Sequence, residues 1–242
     1  MFQNKIISVV MPAYNEEEGI VETVMGFKAH PFVDEVIVVD NNSADKTAIL
    51  AKSAGAMVIR EKRQGYGFAC QTALKHVTGD LIVLTESDNS FFPDDLELLL
   101  AYIPYFDIGK GARSNYHLIS PDAEWTFGLM FGNWLLAKYM QFLFLVFKSV
   151  EDVSMREVGG TFRIITREAL NKILPYLTEG KGAFLPDMVT IALRKKLKII
   201  EIPVRYRGRL GVSKITGNRK KAVLLAIRMM WIITKNRFKK LD

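Results

Sequence analysis

The sequence predicts an α/β domain built on a single, mostly parallel sheet flanked by helices. Three observations lead there. Apolar, β-branched runs alternate with helical patterns through the first half; several runs, such as Val36-Ile37-Val38-Val39, are apolar at every position; and polar residues gather where the runs end. With 242 residues, 49% hydrophobic and 24% charged, the chain can bury one large core and is too apolar for a disordered one.

In order, residues 6–11, 35–40, 57–60, 80–86 and 107–111 read as strands, with helices near 16–29, 44–54, 67–77 and 94–103 between them. This is βαβ grammar, and ligands of such sheets collect at the carboxyl ends of the strands. Tyr14-Asn15-Glu16, Asp40-Asn41-Asn42-Ser43 and Glu86-Ser87-Asp88-Asn89 occupy three such ends. The second half is less regular. A stretch over 125–147, rich in Phe, Leu, Met and Trp, is long enough to cross a bilayer, but a mid-helix lysine such as Lys138 costs about 3 kcal/mol on insertion scales. One or two helices lying at a membrane interface (about 125–148) are expected, with a buried core helix as the alternative. A strand near 161–165, helices near 167–177 and 187–196, a strand over 199–206, a Gly- and Arg-rich loop over 207–217 and a last helix over 219–240 follow. No internal repeat or low-complexity linker divides the chain, so the expected organisation is one domain, 1–218, with a basic C-terminal helix, 219–242.

The charge is segregated. Residues 194–242 hold 16 Lys/Arg and 2 acids, whereas residues 1–193 hold 17 and 24. The last helix mixes Leu224, Ile227 and Trp231 with Lys220, Lys221, Arg228 and Lys235, a composition suited to an anionic membrane surface. A purely structural helix is the bland alternative. Nucleic acid is disfavoured, because the cations are interleaved with aliphatic residues and no nucleic-acid-binding signature is present. Cys70 is the single cysteine and the three histidines are scattered, which excludes a disulfide framework and a Cys/His zinc cluster. The apolar run 6–13 is short and followed by acids, so no export signal is expected.

Glu86-Ser87-Asp88 closes an apolar strand, and two acids so placed offer hard oxygen ligands to Mg²⁺ or Mn²⁺, with substrate phosphates and water completing the shell. Asp40 can accept from the N–H edge of a nucleobase, or serve only as a cap. Gly65-Tyr66-Gly67 is not a dinucleotide fingerprint: it follows the third strand, and the third glycine would fall at Cys70. A phosphate loop and a serine-hydrolase elbow are both missing from the sequence.

Taken together, Val10-Met11-Pro12-Ala13-Tyr14-Asn15-Glu16, Val38-Val39-Asp40-Asn41-Asn42-Ser43, Gly65-Tyr66-Gly67, Glu86-Ser87-Asp88 and Arg209-Leu210-Gly211-Val212-Ser213-Lys214 resemble the family 2 glycosyltransferases, in particular the dolichyl-phosphate mannose synthase-like branch. The resemblance implies the GT-A fold, a Rossmann-like nucleotide-sugar-binding sandwich. It implies inverting transfer of a hexose from a GDP- or UDP-sugar to a polyprenyl phosphate, by an enzyme peripheral to the cytoplasmic face of a membrane. Pro12, Tyr14, Asn15, Glu16, Asp40 and Gly67 would bind the nucleotide. Glu86 and Asp88 would hold the metal. Arg113, in Gly111-Ala112-Arg113, would meet the acceptor phosphate, and Arg207, Arg209, Ser213 and Lys214 would close over the diphosphate. Asp187 would lie near the acceptor, orienting it more than acting as a base, since a phosphate is already ionised.

Three departures stand out. Glu-x-Asp replaces Asp-x-Asp; Asn41 and Asn42 replace an acid and a glycine; and no arginine occurs between Ser114 and Met155, so Lys138, Lys148 or Arg163 would have to take over an acceptor contact. A glycolipid or glycan acceptor, which needs a true base, and a non-catalytic nucleotide-sugar-binding scaffold are the alternative readings. A homo-oligomer or a membrane-anchoring partner is compatible with all of them.

Overall fold

The computed structural model describes residues 2–123, 126–146, 155–211 and 219–241. Its elements are β1 (Ile7–Ala13), α1 (Ile20–Ala29), β2 (Glu35–Asp40), α2 (Thr47–Ser53), β3 (Met57–Arg60), α3 (Tyr66–His76), β4 (Leu81–Leu84), α4 (Leu96–Leu100), β5 (Ile108–Ala112), α5 (Phe127–Val146), β6 (Arg163–Thr166), α6 (Arg167–Ile173), α7 (Phe184–Arg194), β7 (Ile199–Pro203) and α8 (Arg219–Phe238).

The strands form one sheet in the order β3-β2-β1-β4-β6-β5-β7. All neighbours are parallel except β6, which runs antiparallel to β4 and to β5. Alternation along β1 sends Val9 and Met11 to one face, against Val24 and Phe27 of α1 and Leu96 and Leu99 of α4, and Val10 to the other, against Ala69 and Ala73 of α3. Both faces are covered, which is why these strands carry no polar alternation. The chain winds from β1 to β2 and β3 on one side, then returns to place β4 on the other. The carboxyl ends of β1 and β4 therefore flank a switch point, where α/β sheets open a crevice.

Several boundaries differ from the sequence reading. α1 begins at Ile20, because residues 15–19 turn at the carboxyl end of β1: Asn15 takes the left-handed φ of +52° that asparagine tolerates. The helix expected from 187 begins at Phe184, so Asp187 lies in its first turn. The 127–146 stretch is one continuous helix. The basic C-terminal helix is docked on the rest of the chain: Ile233 of α8 is fully buried with Met140 and Phe144 of α5 and Val189 of α7. Polar ties fix it. Tyr139 Oη and Thr234 Oγ1 are 2.6 Å apart, Asn236 Nδ2 donates to Asp187 Oδ1 at 2.7 Å, and Arg228 forks onto Glu179 at 3.0 and 2.8 Å. Apolar side chains cover the opposite face of the pair too, with Phe127, Phe131 and Phe142 of α5 and Leu224, Ile227 and Trp231 of α8 exposed. Among the described residues, no helix is long and apolar enough to cross a membrane.

Candidate functional site

The loops that leave β1, β2 and β4 build the site. Asn15 stitches the first two: its N–H donates to Ser43 Oγ at 3.0 Å and its Oδ1 accepts from the Ala44 N–H at 2.8 Å. Asp40 is buried, its Oδ1 accepting from the Ser43 N–H. Asn41 clamps the next crossover, donating from Nδ2 to the carbonyls of Glu61 (3.0 Å) and Arg63 (2.8 Å) while Oδ1 accepts from the Gly65 N–H (2.7 Å). Only an amide can give and take in this way, so the departure from an acid at position 41 has a structural cause.

At the end of β4, Asp88 Oδ1 accepts from the Ser90 N–H and hydroxyl, at 3.1 and 2.6 Å. Burial and the neighbouring Asp88 charge push the Glu86 carboxyl up to about 8. The pair is thus short of positive charge. Arg209 supplies part of it, with Nη2 2.9 Å from Glu16 Oε1 and 3.3 Å from Asp88 Oδ2. Among the described residues, no third His, Cys, Asp or Glu joins Glu86 and Asp88 in a ligand cluster. Two repelling carboxylates at a cavity wall fit a hard divalent cation that takes its remaining ligands from a diphosphate and water.

Arg113 leaves β5 and is gripped by Glu157, which accepts from its backbone N–H at 2.8 Å and from its guanidinium. Its guanidinium also stacks 4.8 Å from the Tyr206 ring. Burial pushes the Glu157 carboxyl up, and Arg113 more than reverses this, so the group is held below its ordinary value. Beneath them, Lys110 is fully buried against Glu201.

These groups converge on a cavity of about 590 Å³ with two characters. Pro12, Tyr14, Glu16, Glu86, Asp88, Arg113 and Arg209 line one part, and Leu129 and Leu136 of α5 with Val223, Leu225 and Met229 of α8 line the other. Asn41, Tyr66, Asn133, Thr161 and Tyr206 also line it, residues that sequence reasoning did not single out as ligand contacts. Tyr66 stood within a quoted motif; Thr161 carried no signal, because its position opposite β4 depends on the reversed strand β6.

Other expected residues lie elsewhere. Asn15 and Asp40 support the loops without lining the cavity. Gly67 serves packing: a Cβ there would stand 2.2 Å from the Glu179 carbonyl oxygen, so its absence admits the 177–183 loop against α3. Asp187 does not line the cavity either. Its Oδ2 accepts from the N–H groups of Thr178 and Glu179 and its Oδ1 from Asn236, which makes it a tie between that loop and α8. Arg207 turns away onto Asn89, with Nε 2.6 Å from the carbonyl, and lies over the Phe92 ring. Of the cations considered as substitutes for an acceptor arginine, Arg163 is buried and donates to the carbonyls of Val158, Gly160 and Leu185, and Lys138 bonds Gln141 on the exposed side. Ser213, Lys214 and Lys148 lie outside the described residues.

A doubly covered, mostly parallel sheet with an acid-lined cavity at its switch point defines a nucleotide-sugar-binding α/β fold of the GT-A type. Residues 8–174 match the model of glycosyl transferase family 2, and the chain belongs to that family. It is 28% identical over 215 residues to the low-salt glycan biosynthesis hexosyltransferase Agl6 of Haloferax volcanii, covering 86% of this chain but only 49% of that protein, so it spans about half of Agl6. It is 27% identical over 228 residues to an uncharacterized glycosyltransferase of Mycobacterium tuberculosis, covering 93% of this chain and 96% of that one. Its fold matches glucosyl-3-phosphoglycerate synthase from Mycobacterium tuberculosis, a structure containing Mn²⁺, UDP and glucosyl-3-phosphoglycerate, with a TM-score of 0.73 over 99% of this chain and 82% of that one at 18% identity.

Proposed function

We propose that the protein is an inverting hexosyltransferase that moves a hexose from a UDP- or GDP-sugar to a polyprenyl phosphate at the cytoplasmic surface of a membrane, with Mg²⁺ or Mn²⁺ as cofactor. The observation that carries this reading is the two-part cavity, in which carboxylates and arginines run directly into an apolar trough between α5 and α8. Agl6, a hexosyltransferase, and the Mn²⁺ and UDP-glucose held by glucosyl-3-phosphoglycerate synthase support the donor class.

Glu86 and Asp88 would hold the metal, which supplies charge to offset that of the departing diphosphate. This chain's own residues do the rest. Pro12, Tyr14 and Glu16 shape the pocket for base and ribose. Arg209 neutralises Glu16 and Asp88 and presents a cation to the diphosphate; Ser213 and Lys214, a few positions further along the sequence, are proposed to close over it. Arg113, held by Glu157, meets the acceptor phosphate, which is ionised at neutral pH and attacks without a base. The turning away of Asp187 supports such an acceptor over a glycan hydroxyl. Exposed Leu224, Ile227 and Trp231, with Lys220 and Lys221 nearby, support peripheral membrane attachment.

Transfer of radiolabel from GDP-mannose, UDP-glucose and UDP-N-acetylglucosamine into organic-extractable polyprenyl phosphate, with and without Mg²⁺ or Mn²⁺, tests the reading. Metal-dependent label in the lipid from one donor is expected, and Asp88→Ala should abolish it. Label from no donor, despite nucleotide binding, would move the assignment to another acceptor or to a non-catalytic binding protein.

A further inference from the structure

Two hydroxyls in the cavity lack a strong partner. Thr161 is 5% exposed and lines the cavity, yet its Oγ1 makes no hydrogen bond. Tyr66 lines the same cavity, and its buried Oη makes no hydrogen bond beyond a weak contact with the Cys70 thiol. Leaving a hydroxyl buried and unpaired is destabilising. The unpaired hydroxyl of Thr85 lies outside the cavity lining and has no comparable outlet.

The fold places Thr161 beside the reacting groups. Leu84 of β4 pairs with Arg163 of β6, and this register continued by two residues brings Thr161 level with Glu86. On its other side, the Gly111 N–H donates to the Phe162 carbonyl, so Thr161 also adjoins the segment that carries Arg113. Arg113 and Arg209 are the cavity's matches for phosphate. Thr161 and Tyr66 are neutral, and each hydroxyl both gives and takes a hydrogen bond, as a sugar hydroxyl does; a phosphate oxygen only accepts.

We propose that Thr161, together with Tyr66, binds a hydroxyl of the transferred hexose and determines which hexose the enzyme accepts. The inference rests on the hexosyl-transfer reading. A site built to bond one hydroxyl rejects an analogue that lacks it, because the protein's own polar groups are then stranded.

The test is a binding measurement on the full chain with Mn²⁺ present, so that it needs no acceptor. UDP-glucose, UDP-galactose and GDP-mannose are titrated calorimetrically against their plain nucleoside diphosphates, and the tightest sugar is compared with its monodeoxy analogues. Wild type should weaken sharply for one analogue. Thr161→Val should weaken the parent sugar by about ten- to a hundredfold, leave the plain diphosphate unchanged, and bind that one analogue as wild type does. Thr161→Ser should restore the parent affinity. The melting temperature of ligand-free Thr161→Val should equal or exceed that of wild type, since a methyl in place of an unpaired hydroxyl is neutral or stabilising. Unchanged affinity for the parent sugar, equal losses for diphosphate and sugar, or a lower ligand-free melting temperature would each overturn the assignment. Failure of wild type to bind any nucleotide sugar would overturn the hexosyl-transfer reading and this inference with it, whereas failure of polyprenyl phosphate as acceptor would leave the binding result readable.

Discussion

Arg209 Nη2 lies 3.3 Å from Asp88 Oδ2, so a guanidinium already occupies an oxygen that a divalent cation would use. It also answers Glu16, at 2.9 Å. On the proposed reading, Arg209 would compete with the cation in the absence of nucleotide and would assist the diphosphate in its presence. Arg209→Ala should bind Mn²⁺ more tightly than wild type without nucleotide, read by calorimetry, while turnover falls by about 10²-fold or more through lost stabilisation of the leaving group. A parallel loss of metal binding and turnover would sink this account.

Asp187 is a tie, and its removal should act on stability before chemistry. Its carboxylate takes the Thr178 and Glu179 N–H groups at 3.1 and 3.0 Å and Asn236 at 2.7 Å. An asparagine must turn an N–H toward one of these donors, at a cost of about 1–3 kcal/mol. Asp187→Asn should therefore melt several degrees lower, while the pH profile of kcat keeps its shape. Loss of the acid limb of that profile, with unchanged melting, would instead make Asp187 the base that a glycan acceptor requires.

Local pattern carried the strands well, because a parallel strand buried on both faces must be apolar throughout, and it carried Glu86 and Asp88 because strand ends point into the crevice. What stayed illegible was long-range. Arg209 and Arg207 both read as loop cations closing over a diphosphate, yet the first lines the cavity and the second folds back on Asn89, a choice made by partners far away in sequence. Gly67 looked like a ligand-binding glycine, but it is small to admit the Glu179 carbonyl, 112 residues further on, as the clash at 2.2 Å makes plain. Asn41 looked like a degenerate acid until its two donated bonds were visible.

Glu61 should set part of the acid limb of stability. Hydrogen bonds from Arg63, with a further one from Thr72, pull its carboxyl down to about 2 from an ordinary 4.5, against the opposing effect of burial. A carboxyl lowered in the folded state stabilises it above the unfolded value, and that contribution drains away as pH falls from about 4.5 toward 2. Glu61→Gln should lower stability at neutral pH and flatten the loss between pH 5 and 2 in urea titrations at about half-unit steps. A variant curve parallel to wild type across that window would contradict the assignment.

The exposed apolar face of α8 should govern membrane attachment and leave the core intact. Leu224, Ile227 and Trp231 are 66%, 58% and 54% exposed, whereas Ile232 and Ile233 on the inner side are buried. Replacing the three outer residues with serine removes apolar surface that already faces solvent, so folding stability should shift little. On a bilayer the same side chains would leave water, and at roughly 25 cal/mol per Å² the loss of three large side chains amounts to several kcal/mol of binding. The triple variant should keep its melting temperature and its affinity for nucleotide sugar, yet fail to float with vesicles containing anionic lipid. Raising salt should weaken wild-type flotation as well, because Lys220 and Lys221 contribute a screened attraction. Full flotation of the triple variant would place membrane attachment elsewhere on the chain, and loss of flotation together with a lower melting temperature would return α8 to a purely structural role.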